Sequence, residues 1–246
     1  MGKSIYDDTT FFEGYRALRQ RQDNHNVLLE QPAMSTLLPN LEGKTVLDLG
    51  CGFGQNCMEF IERGAEQVVG VDLSQRMLHV AGEENAHPRI TYLHMAMEDI
   101  ATLKQSFHLV YSSLAFHYVE KFPLLLGNVH ALLEEEGILL YSQEHPITTA
   151  TKDGLYHWNM DEEGVPQSFT ISNYHESGER HVAWFVEDVK KYHRPMGEIV
   201  TALFQCGFHI QEMVEPLPSQ AAIAIRPEME RERLRPSFLL IRAQKY

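Results

Sequence analysis

Short apolar runs alternate with amphipathic stretches over most of the chain. Seven runs have the length and composition of buried strands, at 46–49, 67–71, 89–94, 107–111, 138–142, 208–214 and 238–243. Between them, apolar residues recur at helical spacing after Gly54, around Met77, over 122–133 and over 196–206. Strands that alternate with helices predict an α/β fold, a doubly wound sheet with helices on both faces.

Residues 1–40 precede the first predicted strand and form a separate helical unit in this prediction. Helices are expected from about Asp8 and over 26–38, with an interruption near Pro32. The first of them carries an aromatic-rich face, made of Tyr6, Phe11, Phe12, Tyr15 and Leu18. This face either packs against the main domain, 41–246, or forms a lid over a ligand.

A second unusual region is 147–190, where roughly forty residues separate strand five from the next helix. Connections in sheets of this kind are normally short, so the length indicates inserted structure. The insertion is rich in aromatic residues and histidine, namely Tyr156, His157, Trp158, Phe169, Tyr174, Trp184 and Phe185. Alternation over 182–186 predicts a small hairpin. The insertion is either a cap over a substrate site or a satellite core away from it.

Length and charge narrow the class of protein. The 246 residues, 43% of them hydrophobic, predict one large domain or one domain with a cap. Lysine and arginine number 21 against 34 acidic residues, which gives a net charge of −13. Because no basic cluster stands out before residue 220, no nucleic-acid partner is expected. The arginine-rich run 226–235 is interleaved with Glu228, Glu230 and Glu232 and is predicted to be a solvated helix.

The cysteines and the apolar runs indicate the cellular compartment of the protein. Cys51, Cys57 and Cys206 cannot all pair, so free cytosolic thiols are expected. The spacing of the first two matches no common zinc pattern, and no metal site is expected. No apolar run approaches the ~20 residues of a membrane span, and the first residues lack the apolar stretch of a signal peptide. We therefore expect a cytoplasmic protein without membrane contact.

The most informative stretch is 46–54, the first strand and the turn that follows it. Asp48 lies inside the strand, and Gly50, Gly52 and Gly54 follow at alternate positions. A strand that runs through a glycine-rich turn into a helix forms a cradle for nucleotide-like ligands. Glycine allows the ligand to approach the backbone closely because it has no Cβ.

Two classes of ligand compete for this turn. A dinucleotide fingerprint requires a G-x-G-x-x-G frame, but its third glycine position is occupied by Gln55. Asp48 would repel a pyrophosphate, whereas it would attract an ammonium group. S-adenosylmethionine carries an ammonium and a sulfonium but no phosphate. The turn therefore resembles that of class I S-adenosylmethionine-dependent methyltransferases of the small-molecule kind.

The resemblance covers residues 41–145 by motif and the rest of the chain by topology. It implies a seven-stranded sheet in the order 3-2-1-4-5-7-6 with the last strand antiparallel, an N-terminal helical lid and a cap inserted after strand five. It also implies an enzyme, with S-adenosylmethionine as cofactor, that transfers a methyl group to a small molecule.

The same resemblance implies the cofactor contacts. Asp72 ends the second strand, where an acid can accept both ribose hydroxyls or can cap the next helix, although Ser74 also fits the cap. Met97 and Glu98 match the segment that grips adenine. The full expected set is Asp48, Gly50, Cys51, Gly52, Asp72, Leu73, Met97, Glu98 and Ser113.

Strands four and five end at the same edge, which directs residues that follow them to the acceptor. His117, His145 and Glu144 are the candidate general bases, although a lone loop histidine can be purely structural and Pro146 allows a structural turn. The expected acceptor-binding residues are Tyr15, Phe116, Tyr118, Trp158, Trp184 and His193. The two tryptophans would supply flat walls, which favour an aromatic or largely apolar acceptor.

The expected reaction is an in-line displacement at carbon, in which the enzyme mainly aligns the reactants and excludes water. Two alternatives stay open. A nicotinamide-dependent oxidoreductase is disfavoured by the glycine frame and by Asp48, and tight NAD binding would select it. A non-catalytic S-adenosylmethionine-binding module that acts through a partner would bind the cofactor but transfer no methyl group.

Overall fold

The computed structural model describes residues 4–246 and contains eleven strands in that range. The strands are β1 (Thr45–Leu49), β2 (Gln67–Asp72), β3 (Ile90–His94), β4 (Phe107–Ser112), β5 (Leu133–Glu144), β6 (His157–Met160), β7 (Pro166–Thr170), β8 (Gly178–Trp184), β9 (Val186–His193), β10 (Phe208–Val214) and β11 (Phe238–Lys245). Seven of them form one sheet in the order β10-β11-β5-β4-β1-β2-β3. Strands β1 to β5 are parallel, and β11 is antiparallel to both of its neighbours. The predicted order and the antiparallel last strand are confirmed.

Helices cover both faces of this sheet. They are α1 (Thr9–Gln20), α2 (Gln31–Leu37), α3 (Gln55–Glu62), α4 (Gln75–Glu84), α5 (Phe122–Leu132), α6 (Pro146–Thr149), α7 (Met196–Gln205) and α8 (Gln220–Ile225). Over residues 4–246, none of the helices combines the length and apolar character needed to cross a bilayer.

Successive residues of each central strand enter different cores, because strand side chains alternate between the two faces. In β1, Leu47 belongs to the core that contains Leu126 of α5, and Val46 belongs to the core that contains Phe60 of α3. Parallel strands buried on both faces have continuous apolar sequences, which is why these runs could be recognised as strands.

Backbone and side-chain hydrogen bonds fix the turns at the carboxyl ends of the parallel strands. Ser112 Oγ donates to the carbonyl of Leu49 at 2.7 Å. The amides of Gly50 and Cys51 both donate to the carbonyl of Val71, at 2.8 and 3.0 Å. The ends of β1, β2 and β4 are thereby held together at one edge, which is where open α/β sheets bind ligands.

The N-terminal segment crosses this edge before the sheet begins. It contains a 3₁₀ turn at Ile5–Asp7, helix α1, a π-helical turn at Asn26–Glu30 and helix α2. Asp8 caps α1, since its Oδ1 accepts a hydrogen bond from the Phe11 amide at 3.0 Å. The π-helical turn passes into α2 beside Pro32, where the sequence predicts an interruption.

The region after β5 contains α6 and two hairpins, β6–β7 and β8–β9, neither of which joins the central sheet. The β8–β9 hairpin turns at Phe185, whose φ is +58°, within the stretch where alternation predicts a hairpin. Arg180 anchors this hairpin, because its buried guanidinium donates to the carbonyls of Ala150 at 3.0 Å and Glu176 at 2.7 Å.

Helix α1 and the β8–β9 hairpin pack directly on each other. A Cβ at Gly14 would lie 2.6 Å from Phe185 Cδ1, so the phenyl ring fills the space that glycine leaves. Phe11 meets Trp184 edge to face, with ring centroids 5.2 Å apart. The helix and the hairpin are therefore joined above the carboxyl edge of the sheet.

Candidate functional site

A cavity of about 530 Å³, called the first cavity here, opens at the carboxyl edge of the sheet. The glycine turn forms its floor, the N-terminal segment covers it, and β9 closes one side. Seven of the nine predicted cofactor residues line it, namely Gly50, Gly52, Asp72, Leu73, Met97, Glu98 and Ser113. Strand ends that are far apart in sequence thus meet around one space.

The glycine turn has the backbone that a close ligand requires. Gly50 and Gly52 have φ values of +75° and +53°, in the left-handed region that glycine adopts without strain. A Cβ at Gly52 would meet no atom within 4 Å, which leaves room for a ligand against the backbone. At Gly50, a Cβ would come within 2.7 Å of Ala115 Cβ, so no side chain fits there.

Asp72 lies at the end of β2, beside this turn. Its carboxylate accepts hydrogen bonds from the amides of Gly52 at 2.9 Å and Ser74 at 2.8 Å, which fix its orientation. Ser74 caps α4, because its Oγ accepts from the Met77 amide at 3.2 Å. Burial raises the pKa of Asp72, although the two amide donors oppose that shift.

Asp48 and Cys51 do not line the cavity. The Asp48 carboxylate is fully buried beneath the turn, where it accepts a hydrogen bond from Cys57 Sγ at 3.4 Å. Burial raises its pKa to about 7. The Cys51 thiol faces the sheet, since a Cβ at Gly70 would lie 2.9 Å from its sulfur. Neither side chain lines the first cavity, although the sequence predicts that both contact the cofactor.

A further acid, Glu30, was not predicted. It lies in the π-helical turn, is fully buried, and its Oε1 accepts from Ser113 Oγ at 2.8 Å and Ser142 Oγ at 2.5 Å. Burial raises its pKa. The sequence did contain a signal, because Glu30 shares the buried face of its helix with Met34 and Leu37 at helical spacing.

A second cavity of about 310 Å³ adjoins the first. The two share four lining residues, namely Tyr6, Tyr15, Leu114 and Tyr118. The Tyr6 hydroxyl donates to the Tyr118 hydroxyl at 3.4 Å, and Tyr6 meets Tyr15 edge to face at 5.0 Å. Three tyrosine rings therefore form a partition between a cavity at the glycine turn and a smaller one beyond it.

The second cavity contains two of the three predicted catalytic residues. His117 is buried at its wall, and its Nδ1 accepts a hydrogen bond from the Glu144 amide at 3.3 Å. Burial lowers the pKa of His117 to about 4, so the ring is neutral at physiological pH. A neutral imidazole that accepts at Nδ1 carries its proton on Nε2. The ring is thus a hydrogen-bond donor at Nε2, which is not the state of a general base.

Glu144 is committed to an ion pair. Its Oε1 lies 2.5 Å from Lys191 Nζ, and both side chains line the second cavity. Burial acts to raise the pKa of Glu144, but the Lys191 ammonium outweighs it and holds that pKa below its ordinary value. At neutral pH the pair is an ionised carboxylate and an ammonium, neither of which is a free base.

The remaining predicted acceptor residues divide in two. Tyr15, Tyr118 and Trp184 line the second cavity. Phe116 lies in the core, where it stacks on Tyr141 at 4.7 Å. His145, the third predicted catalytic residue, lines neither cavity and caps α6 through Nδ1, which accepts from the Ile147 amide at 3.1 Å.

The other two predicted acceptor residues are Trp158, in the insertion, and His193, at the end of β9, and neither lines either cavity. His193 is fully buried between Thr149 Oγ1 and the Tyr174 carbonyl, both at 2.8 Å. Trp158 packs against Phe169 with ring centroids 5.0 Å apart. Over residues 4–246, no group of three or more histidine, cysteine or acidic side chains is arranged to hold a metal ion.

Arginines also line the second cavity, and the sequence analysis did not predict this. The run 226–235 is not a solvated helix as predicted: a 3₁₀ helix at Pro227–Arg233 buries Met229 and Glu232. Arg235 follows it with only 5% of its surface exposed. Interleaved charges look the same in sequence whether they face solvent or a cavity, and only tertiary packing separates the two cases.

Comparisons with known proteins agree with this geometry. Residues 46–137 match the family described as "Methyltransferase domain". A solved S-adenosylmethionine dependent methyltransferase from Mesorhizobium loti is 37% identical, with a TM-score of 0.82, and the match covers 93% of this chain and 100% of that one.

A Listeria monocytogenes structure, provisionally described as the same kind of enzyme, is 39% identical with a TM-score of 0.81, covering 88% of this chain and 96% of that one. An uncharacterised protein from Haemophilus influenzae is 38% identical over 98% of this chain and 97% of its own length.

Proposed function

This chain belongs to the S-adenosylmethionine-dependent methyltransferases of class I, and we propose that its acceptor is a small molecule held in the second cavity. The observation that carries the proposal is the pair of adjoining cavities, which share a tyrosine partition at the carboxyl edge of the sheet. A cavity of about 310 Å³ has the size of a small-molecule site, and its concave shape suits a compact molecule better than a polymer.

The residues present in the first cavity fit S-adenosylmethionine. In this proposal, Asp72 binds the ribose hydroxyls, because its carboxylate is already oriented beside the glycine turn. Gly52 leaves open space for the methionine end. Met97 and Glu98 lie beside the adenine, and the Glu98 carbonyl is fixed by Asn128 Nδ2 at 3.1 Å. The bound cofactor supplies an electrophilic methyl group on a sulfonium.

The protein contributes alignment and exclusion of water. The partition formed by Tyr6, Tyr15 and Tyr118 is the place where acceptor and methyl group meet in this proposal. Holding reactants in line within a closed cavity lowers the barrier to displacement without a covalent intermediate. His117 donates from Nε2 to the acceptor and orients it, and it does not remove a proton.

Two further parts of the proposal concern access. Residues 4–40 act as a lid, because Tyr6 lines both cavities and Asp7 Oδ1 accepts from Ser74 Oγ at 2.7 Å beside Asp72. Residues 1–3 of the predicted lid lie outside the described residues. The insertion 147–190 acts as a cap over the acceptor, since its Trp184 and Tyr156 line the second cavity. Both segments would have to open for exchange of ligands.

The test combines binding with transfer. Calorimetry should show binding of S-adenosylhomocysteine, and Gly52→Val should abolish it. Methyl-labelled S-adenosylmethionine should then label a compound in a low-molecular-mass ultrafiltrate of a cell extract. Label that enters only the retained protein or tRNA would contradict the proposal, whereas binding without any transfer would select the non-catalytic alternative. The net charge of −13 supports the expectation that tRNA is not labelled.

A further inference from the structure

Three arginines line the second cavity, and they differ in their partners. Arg226 is engaged, since its Nε contacts Glu228 Oε1 at 2.7 Å and its Nη1 donates to the Asp23 carbonyl at 3.2 Å. Arg231 and Arg235 form no ion pair with any carboxylate of residues 4–246. Two cationic side chains therefore line one small cavity without a direct ion-pair partner in the described part of the chain.

Arg235 is the more deeply placed of the two. Its Nη2 donates to Ser237 Oγ at 3.0 Å, but within the described residues its Nε and Nη1 are buried and without a hydrogen-bond partner. The Nε of Arg231 is likewise buried and has no hydrogen-bond partner within the described residues. Burial of a guanidinium with unpaired N–H groups is costly, and such groups are normally satisfied by an acceptor or an anion.

The carboxylates that could pair with these arginines have other partners. Glu232 accepts from the Ser237 amide at 2.9 Å and from Ser237 Oγ at 2.8 Å, and it also lies 3.4 Å from His25 Nε2. Glu144 is paired with Lys191 at 2.5 Å. The excess positive charge at this end of the cavity is thus not neutralised by direct contact.

Aromatic rings hold the Arg235 guanidinium in place. It lies 4.8 Å from the ring centroid of Tyr156, 5.3 Å from that of Trp158 and 5.2 Å from that of Phe169. Cation–π contacts stabilise the charge through the faces of the rings and do not use the N–H groups, which lie in the guanidinium plane. Trp158, which does not line the cavity, thereby acts as a support for a residue that does.

We propose that the acceptor carries an anionic group, a carboxylate or a phosphate, which Arg231 and Arg235 bind at the end of the second cavity away from the tyrosine partition. This inference rests on the proposed function and adds the class of substrate to it. The acceptor would place an apolar body against the tyrosines and Trp184 and its anion against the arginines. Arginine suits this role because its donors match planar oxyanions.

The inference can be tested without knowledge of the natural acceptor. Benzoate, phenyl phosphate and the neutral analogue benzamide are titrated into the S-adenosylhomocysteine complex. The readout is tryptophan fluorescence, since Trp184 lines the cavity and Trp158 contacts Arg235. At least one anion should bind about 10- to 100-fold more tightly than benzamide, the range expected for a charge-assisted hydrogen bond. Equal binding of all three probes would overturn the inference.

Substitutions test whether the preference for an anionic probe comes from these two arginines. Arg235→Gln and, in case that buried change impairs folding, the half-buried Arg231→Gln should each remove most of the preference for the anion and leave S-adenosylhomocysteine affinity unchanged. Arg233→Gln is the matched control, because Arg233 is exposed and paired with Glu230 at 3.1 Å. An anion preference that survives in both test variants, or that is lost equally in the control, would contradict the assignment.

The natural acceptor gives a second test. An anion-exchange resin should retain the methyl-accepting activity of the ultrafiltrate. Phosphatase treatment should abolish this activity if the anion is a phosphate and leave it unchanged if the anion is a carboxylate. Activity in the unretained fraction would overturn this inference and leave the proposed function intact. Failure of the proposed function would instead show as absence of methyl transfer to any fraction, and the probe titrations would still decide the inference.

Discussion

The hydroxyls of Tyr6 and Tyr118 lie 3.4 Å apart, although the two residues are 112 positions apart in the chain. Tyr6 comes from the N-terminal 3₁₀ turn, and Tyr118 comes from a 3₁₀ turn that follows β4. Their rings separate the first cavity from the second. The segment before the sheet therefore completes both cavities, and the sheet without it would leave both cavities open on that side.

The cofactor site can be tested at Asp72 and Gly52. Asp72→Ala removes acceptors for the ribose and should weaken S-adenosylhomocysteine binding by about 10- to 100-fold, at roughly 1.5–3 kcal/mol per charge-assisted hydrogen bond. Gly52→Val should weaken it further, because valine is strained at positive φ and its side chain enters the cavity. Calorimetry measures both, with the exposed Glu83→Ala on α4 as control. Unchanged affinity in both variants would exclude this cavity as the site.

The role of His117 can be read from a pH profile. Because its pKa is lowered to about 4, the ring stays neutral from about pH 6 to 9. The ratio of kcat/KM between wild type and His117→Asn should therefore be constant over that range. Loss of one hydrogen-bond donor should cost about 2- to 13-fold, whereas loss of a general base costs about 10²–10⁴-fold. A ratio that rises through pH 6.5 would restore the general-base role.

The Glu144–Lys191 pair should contribute to stability as a unit. Glu144→Gln leaves a buried ammonium without its partner and should lower the free energy of unfolding by about 3–5 kcal/mol. Glu144→Gln combined with Lys191→Met removes both charges and should recover much of the loss. Urea denaturation at neutral pH measures the cycle. A double variant no more stable than Glu144→Gln would show that the pair is not coupled.

The pH dependence of this pair follows from the direction of its two pKa shifts. The pKa of Glu144 is lowered, so its contribution is present above the ordinary glutamate pKa and is lost as pH falls through the lowered value. Burial alone would lower the pKa of Lys191, but Glu144 raises it above its ordinary value. The contribution of Lys191 is therefore lost only as pH rises through that raised pKa, and the pair is intact at neutral pH.

The sheet could be predicted from the sequence because its signals are local. Strands buried on both faces are short apolar runs, and the motif at 46–54 fixes which strand comes first. The positions of the predicted cofactor residues follow, since the residues after each parallel strand must lie at the same edge. Asp48 and Cys51 are the exceptions, because the Asp48 side chain is buried beneath the turn and the Cys51 thiol faces the sheet.

The second cavity was less predictable, because its lining depends on side-chain direction and on distant segments. Phe116 and His117 are adjacent, yet the first enters the core and the second faces the cavity. Sequence order places both after β4 but does not separate them. Glu30 accepts a hydrogen bond from Ser113, and Arg235 lines the second cavity. Both come from segments without a strand motif, and only the packed fold brings them there.

Asp48 should make the stability of the ligand-free protein depend on pH. Its pKa is raised to about 7 by burial, so the folded state keeps a proton between about pH 4 and 7 that the unfolded state releases. The contribution of Asp48 to the free energy of unfolding is fully present below the pKa of the unfolded state. It falls by up to about 4 kcal/mol as the pH rises from about 4 to 7. Relative to wild type, Asp48→Asn should gain stability steadily from pH 4 to about 8.

Chemical denaturation at several pH values measures this difference for Asp48→Asn. Asp99→Asn, at an exposed carboxylate outside the core, serves as the control variant. A difference between Asp48→Asn and wild type that stays constant with pH would mean that Asp48 is ionised in the folded state.

The two tryptophans should separate direct from indirect contributions to acceptor binding. Trp184 lines the second cavity, so Trp184→Ala should raise the KM for any acceptor, charged or neutral, by removing an apolar wall. Trp158 does not line it but supports Arg235 at 5.3 Å, so Trp158→Ala should weaken anionic ligands and leave neutral ones unchanged. Steady-state kinetics and the probe titrations measure the two effects, with S-adenosylhomocysteine affinity as the check on folding. If Trp158→Ala weakened benzamide as much as benzoate, Trp158 would act by shaping the cavity and not through Arg235. If neither variant changed acceptor binding, the insertion would be a satellite core and the cap proposed for 147–190 would be wrong.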